Sequence, residues 1–281
     1  MKIESWFNSN DTTSIYSSDY WNNEEIEKNK IWNVNEENFK DLEDHLKNKT
    51  NLYDAFNSGL DLIEKIIVDP KGYTCLDLAA GVCWSSALLS RKLYVKEIFA
   101  LEISIHRLKK IAPIVINGLS SQANKIKGII GDFYNLKVED NSIDLVVLSQ
   151  VFHHADKPNK LLGEINRVLK PGAICFITGE KLISLKQNIF GIIKHNIKKI
   201  IFDLNLEMFF KKNLNPLKVN KFSYKFKNIF PPDEEMGNHY YRKKDIECLM
   251  REAWLQIIFQ QTRVMPSQVS KGTFNYILFK K

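Results

Sequence analysis

The sequence predicts an α/β chain whose mainly parallel sheet is covered by helices on both faces. Three observations carry that prediction. Strand-like runs are so continuously Ile, Leu and Val that both of their faces must be buried. Amphipathic helical patterns alternate with those runs. The chain ends in two strand-like stretches joined by a Pro-containing loop, the pattern of an antiparallel hairpin. At 281 residues, 44% hydrophobic and 26% charged, the chain suits one large domain with additions.

The elements follow in order. Residues 1–51 are polar and acidic yet hold Trp6, Phe7, Tyr16, Tyr20, Trp21, Trp32 and Phe39. Disordered tails lack aromatics, so this stretch is expected to pack as short helices. It serves either as a cap completing the core or as a source of one aromatic for the substrate. Residues 52–180 carry the alternating pattern. Helical spacing joins Leu52, Phe56, Leu60, Ile63 and Ile67 up to Asp69-Pro70. Strands are expected over 74–79, 97–103, 126–130, 143–149 and 173–178, with helices over 84–93, 104–115 and 158–169. Pro171-Gly172 marks the last helix-to-strand turn. Residues 181–232 interrupt the pattern with a basic, apolar insertion. Residues 233–281 complete the sheet with a helix over 243–253 and strands over 254–263 and 273–279.

Bulk properties narrow the classes. The four cysteines, Cys75, Cys83, Cys175 and Cys248, form no metal-binding spacing, and no acidic pair forms a metal site, so no metal is expected. The first residues lack a basic start followed by an apolar run, and no run reaches the ~18 residues of a membrane span. A cytoplasmic location with reduced thiols is therefore expected. The net charge of +7 is local: residues 181–230 carry eleven lysines against Asp203 and Glu207, whereas residues 1–56 carry six lysines against twelve acids. A basicity confined to one segment is no nucleic-acid signature, and no nucleic-acid partner is expected.

Four motifs carry chemistry, each at the end of a predicted strand. Leu76-Asp77-Leu78-Ala79-Ala80-Gly81-Val82-Cys83 breaks a buried strand into a small-residue loop before a helix. Open α/β sheets bind ligands at such strand ends, and small residues let the backbone approach a ligand. Asp77 would set a carboxylate near a cofactor's ammonium. Glu102-Ile103 ends the next strand with an acid able to accept both hydroxyls of a ribose. Asp132-Phe133 pairs an acceptor for an exocyclic amine with an aromatic to lie against a purine. Ser149-Gln150-Val151-Phe152-His153-His154 ends the strand after that.

This ordered set, over residues 74–180, resembles the class I S-adenosylmethionine-dependent methyltransferases, especially the methyltransferase type 11 group. The group's hallmark tail stands as His153-His154-Ala155-Asp156 through Arg167-Val168-Leu169-Lys170-Pro171-Gly172. The resemblance implies a Rossmann-like, doubly wound, seven-stranded sheet closed by an antiparallel C-terminal hairpin strand, with an N-terminal cap and a helical lid insertion. It also implies S-adenosylmethionine as cofactor and S-adenosylhomocysteine as product. Asp77, Ala79 and Gly81 would hold the methionine moiety, Glu102 with Ile103 the ribose, Asp132 with Phe133 the adenine, and Gln150 would lie near the sulfonium. The usual Gly-x-Gly-x-Gly reads Ala79-x-Gly81-x-Cys83, which puts a cysteine side chain beside the expected cofactor path.

Methyl transfer to a hydroxyl needs a base, and His153, His154 and His239 are the candidates. His239 stands in Gly237-Asn238-His239-Tyr240-Tyr241, where His239, Tyr240 and Tyr241 are candidate substrate contacts. The expected acceptor is a small molecule or a carbohydrate of surface-glycan type, methylated on oxygen. An amine acceptor, or a non-catalytic protein that only binds the cofactor, are the alternatives. Residues 181–230 are read as a lid, with peripheral attachment to an anionic membrane or a dimer contact as further readings. A monomer or a homodimer fits equally.

Overall fold

The computed structural model describes residues 1–7, 21–22, 30–67, 72–119, 121–181, 241–264 and 273–280. Strand β1 (Lys2–Ser5) comes first, then helix α1 (Phe39–Asp44), which runs into a π turn at His45–Lys49, and α2 (Leu52–Ile66). The alternation follows as β2 (Tyr73–Leu78), α3 (Trp84–Ser90), β3 (Val95–Glu102), α4 (Ala112–Gly118), β4 (Ile126–Ile130) and β5 (Ile143–Ser149). Then come α5 (Pro158–Val168), β6 (Leu169–Lys181), α6 (Lys243–Glu252), β7 (Gln256–Val264) and β8 (Thr273–Lys280).

The described residues form one eight-stranded sheet in the order β1-β4-β3-β2-β5-β6-β8-β7. Strands β1 to β6 pair in parallel, and β8 pairs antiparallel with both β6 and β7. The doubly wound architecture with its C-terminal hairpin is therefore as expected. Two apolar layers account for it. On β5, Leu145 and Val147 face one layer while Val146 and Leu148 face the other, all fully buried. The first layer is covered by α1 to α4 and the second by α5 and α6. The predicted stripe of α2 is buried at Leu52, Phe56, Leu60 and Ile63, each side chain contributing about 1.5–3 kcal/mol. Gly59 on the same stripe lets α2 lie directly on Phe176, whose ring occupies the space a Cβ would need.

Several boundaries differ from expectation. The N-terminus does not open as a helix: Lys2–Ser5 pairs with β4 and adds an eighth strand at the sheet edge. Helix α3 stops at Ser90, because the chain turns at Arg91 and leaves Leu93 89% exposed, outside the apolar stripe. The helix expected over 104–115 runs on to Gly118 and contains a π turn at Arg107–Ile111. Pro113 follows one residue later, and the widened turn accommodates a residue that has no N–H and crowds the preceding turn. Pro171-Gly172 lies inside β6 rather than before it. The register slips between Ile143↔Leu169 and Leu145↔Ile174, and Gly172 takes a φ of 80° within the bulge. From the N-terminal part, Val34, Leu42 and Leu46 are buried in the first layer.

Candidate active site

Because β2 to β6 are parallel, their carboxyl ends share one rim, and the predicted residues collect there. The rim lies where connections diverge: from β2 the chain winds out through β3 to β4, and β5 and β6 lie on the other side.

At the end of β2, Asp77 is fully buried. Its Oδ2 accepts hydrogen bonds from the hydroxyls of Ser85 (2.7 Å) and Ser86 (2.5 Å) at the start of α3. Its Oδ1 has no partner among the described residues. Burial, with a smaller contribution from the Glu102 charge, raises its pKa to about 6 against the pull of the two serines. The loop that follows places Ala79, Gly81 and Cys83 at φ 46°, 55° and 62°. These left-handed conformations suit glycine, and two are held by residues that carry a Cβ. Cys83 is fully buried in the apolar layer beneath α3, and burial pushes its thiol well up. Among the described residues, a Cβ built on Gly81 would meet only Arg107 Nη1, 4.0 Å away, so none of them crowds the loop backbone there.

At the end of β3, Glu102 is 3% exposed and straps the rim together. Its carboxylate accepts the backbone N–H of Gly81 (2.8 Å), Ile103 (2.9 Å) and Ser104 (2.9 Å). Of roughly four lone-pair positions on a carboxylate, three are so used. After β4, Asp132 Oδ1 accepts the N–H of Tyr134 (2.8 Å), and the half-buried Phe133 meets Tyr134 edge-on at 4.6 Å. After β5, Gln150 takes a φ of 59° and its N–H donates to the Thr178 carbonyl (2.9 Å).

The two histidines of the next turn sit ring to ring, 4.1 Å apart. His153 Nδ1 lies 2.9 Å from Glu180 Oε2. His154 meets the ring of Trp21 edge-on at 5.5 Å. Among the described residues, Trp21 is an aromatic of the N-terminal region that lies at the rim. Its carbonyl oxygen lies 3.0 Å from Ser104 Oγ, and the Arg107 guanidinium and Lys30 Nζ lie over its ring at 4.8 and 4.7 Å. It thus spans from the end of β3 to the end of β5, across the β2 loop.

Sequence reasoning missed Glu180, Arg107 and this particular role of Trp21. An acid two residues past Thr178 at a strand end was a readable signal for Glu180; the other two depend on how the chain returns over the rim. Tyr241, expected at the substrate, is 5% exposed and packs its ring on Phe152 at 5.2 Å. Its apolar neighbours explain that placement, and its hydroxyl is pushed well above the usual tyrosine range by burial and by Glu180. His239 and Tyr240, and the insertion after residue 181, lie outside the described residues. Among the described residues no cluster of His, Cys, Asp or Glu could hold a metal ion, and no helix is long and apolar enough to cross a membrane.

Residues 76–177 match the family model described as a methyltransferase domain. Over this stretch the chain is similar to methyltransferase domains, and its fold is that of solved S-adenosylmethionine-dependent methyltransferases. The fold of this domain is shared with a SAM-dependent methyltransferase from Aquifex aeolicus at 16% identity and a TM-score of 0.51, covering 88% of this chain and 100% of that one. It is shared with the 1,6-didemethyltoxoflavin-N1-methyltransferase of Burkholderia thailandensis, solved with 1,6-didemethyltoxoflavin and S-adenosylhomocysteine, at 10% identity and a TM-score of 0.54, covering 86% and 83%. The cyclase SpnF shares it too, at 13% identity and a TM-score of 0.52, covering 79% and 78%. No curated protein matches the chain in sequence. The likeness to a methyltransferase domain thus rests on residues 76–177, while the structural neighbours describe the fold.

The residues at the rim fit S-adenosylmethionine, the cofactor that the resemblance implies. Asp77 Oδ1 is a buried acceptor that lacks a donor, and the Gly81 backbone is open on the side facing Arg107.

Proposed function

We propose that the protein methylates a hydroxyl of a small-molecule or sugar acceptor, using S-adenosylmethionine held at the rim. The observation that carries the reading is the Glu102 strap, which couples the open Gly81 loop to an acid at the end of the neighbouring strand. In this reading Asp77, Ala79 and Gly81 take the methionine end, with the unpartnered Asp77 Oδ1 beside the ammonium. Glu102 and Ile103 take the ribose, Asp132 and Phe133 the adenine, and Gln150 borders the reacting centre. Bound S-adenosylmethionine supplies a methyl on a sulfonium, ready for in-line displacement.

The chain's own contribution is alignment, exclusion of water, and removal of the hydroxyl proton. His153 and His154 are the base candidates on the rim, and His239 belongs to the same proposal through its place before α6. Trp21 is read as a wall of the acceptor space. The basic insertion 181–232 is read as the lid, supported by where it attaches: β6 ends at the rim, and Tyr241, which follows it in sequence, packs on Phe152 beside the rim. A lid in that place gives membrane attachment through 181–230 no separate task. An amine acceptor is the second reading, favoured by the N1-methyltransferase among the structural neighbours. It needs alignment but no base.

Calorimetry with S-adenosylhomocysteine tests the cofactor assignment, and saturating ligand should raise the melting temperature by mass action. Methyl-tritiated S-adenosylmethionine offered with fractionated cell extract tests transfer. Binding without transfer to any fraction would favour a cofactor-holding protein, and no binding would end the reading.

A further inference from the structure

Glu180 has no part in the mechanism so far, yet the chain arranges it with care. The register of β6 against β8 slips between Thr178 and Glu180, and Gly179 between them takes a φ of 77°. A bulge of this kind re-aims the side chain that follows it. Only glycine suits this one, since a Cβ would come 2.6 Å from Gln150 Cγ in a left-handed backbone. The re-aimed carboxylate, 2% exposed, reaches the turn after β5. Oε1 accepts the N–H of Val151 (2.9 Å) and Phe152 (2.8 Å), and Oε2 accepts the N–H of His153 (3.2 Å). The fourth contact is the His153 ring, with Nδ1 at 2.9 Å from Oε2.

An ionised carboxylate only accepts, so the ring nitrogen facing it carries the proton. The lone pair of neutral His153 is then on Nε2, across the ring. Its side chain is 26% exposed, whereas the carboxylate behind it is buried. Among the described residues the titratable and charged groups around the pair include His154 on the same turn, Glu180 from β6, and Tyr241 before α6, which Tyr134 and Asp156 also reach; Arg107 and Lys30 lie over the ring of Trp21 beyond His154.

We propose that Glu180 is a positioning residue that holds His153 as the Nδ1–H tautomer, and that His153 Nε2 is the base for the acceptor hydroxyl. This rests on the methyltransferase reading above. The acceptor oxygen bonds to the methyl carbon, the carbon–sulfur pair returns to sulfur, and the hydroxyl proton passes to Nε2. Glu180 then faces an imidazolium, whose charge it offsets.

Histidine ring nitrogen NMR on the full-length chain tests the dyad without a substrate. Neutral His153 should appear as the Nδ1–H tautomer, and Glu180→Gln should lower its titration midpoint by roughly one unit or more, the effect of removing an opposite charge at contact. The Nε2–H tautomer in the wild type, or an unmoved midpoint in a folded variant, would overturn the proposal. If Glu180→Gln does not fold, the wild-type tautomer decides alone. His153→Gln should keep its affinity for S-adenosylhomocysteine and lose about 10²–10⁴-fold in tritium transfer to an extract fraction that the wild type methylates. Transfer within threefold of wild type would remove His153 as the base. A wild type that does not bind S-adenosylhomocysteine would sink the cofactor reading and leave the tautomer result standing.

Discussion

Asp77→Asn tests the rim by a change of stability whose sign is unusual for a buried carboxylate with hydroxyl donors. The folded pKa of Asp77 is raised from 3.8 to about 6, chiefly by burial, while the unfolded side chain keeps its ordinary value. A raised folded value means that the protonated form favours the fold. The contribution is complete below about pH 4, is lost as the pH climbs towards 6, and stays lost above that. About two units correspond to roughly 3 kcal/mol, an order of magnitude for the cost of holding the ionised group at pH 7–8. Asparagine never ionises, and its Oδ1 can still accept from Ser85 and Ser86. Thermal melts from pH 4 to pH 8, with and without S-adenosylhomocysteine, provide the assay. Without ligand the variant should melt above the wild type at pH 8, by roughly 4–10 °C, with the gap closing towards pH 4. With ligand the wild type should recover most of that difference, because its unpartnered Oδ1 gains a cationic neighbour that asparagine cannot hold as well. A variant that melts below the wild type at pH 8, or a gap indifferent to pH, would refute the argument.

Glu102→Ala should lower the melting temperature of the ligand-free protein by about 5–10 °C, since three N–H donors lose a charged acceptor and the rim admits only partial replacement by water; a melt within 1 °C of wild type would mean that the strap carries no load. The same variant should bind S-adenosylhomocysteine at least tenfold more weakly in calorimetry. Ala79→Gly relieves a φ of 46°, which costs a non-glycine residue about 1–2 kcal/mol, against roughly 0.5–1 kcal/mol of extra chain entropy on unfolding. Urea melts should therefore show it neutral to about 1 kcal/mol more stable, and a clear loss would mean that the alanine methyl packs in a way its half-buried position does not suggest.

The parts of the fold legible in the sequence were those set by local pattern. The strands β2 to β5 came from continuous apolar runs, because burial on both faces leaves no alternation to confuse. The Leu52-Phe56-Leu60-Ile63 stripe fixed α2 for a related reason. What was not legible depends on distant partners. Lys2–Ser5 is too short and polar to signal a strand, and it forms one only because β4 offers an unpaired edge. The extent of β6 was hidden by Pro171-Gly172, which reads as a turn and is absorbed as a bulge. The site divides along the same line. Asp77, Glu102, Asp132 and the histidine pair could be read because each ends a strand of a parallel sheet. Glu180 could not be joined to His153, because the contact requires both the pairing of β5 with β6 and the slip at Gly179.

That slip belongs to a wider arrangement. Among the described residues, six non-glycine positions have positive φ, and three of them, Ala79, Cys83 and Gln150, follow β2 and β5. These are adjacent strands at the centre of the sheet, where the winding changes side. Strain of this kind costs about 1–3 kcal/mol at each position and persists only where the surroundings impose it. Here the impositions are identifiable. Cys83 is locked by burial under α3, Ala80 donates to Leu101 at 2.9 Å, and Gln150 is pinned by its N–H on Thr178. A rim serving only to connect strands could have used glycine at each of these positions and left Asp77 with a full set of donors. Instead it keeps a buried oxygen without a donor beside a loop backbone held open, and turns a second acid through a glycine bulge onto an imidazole. Both features are what the proposed transfer calls for: a buried acceptor for a cation and a positioned imidazole for a proton.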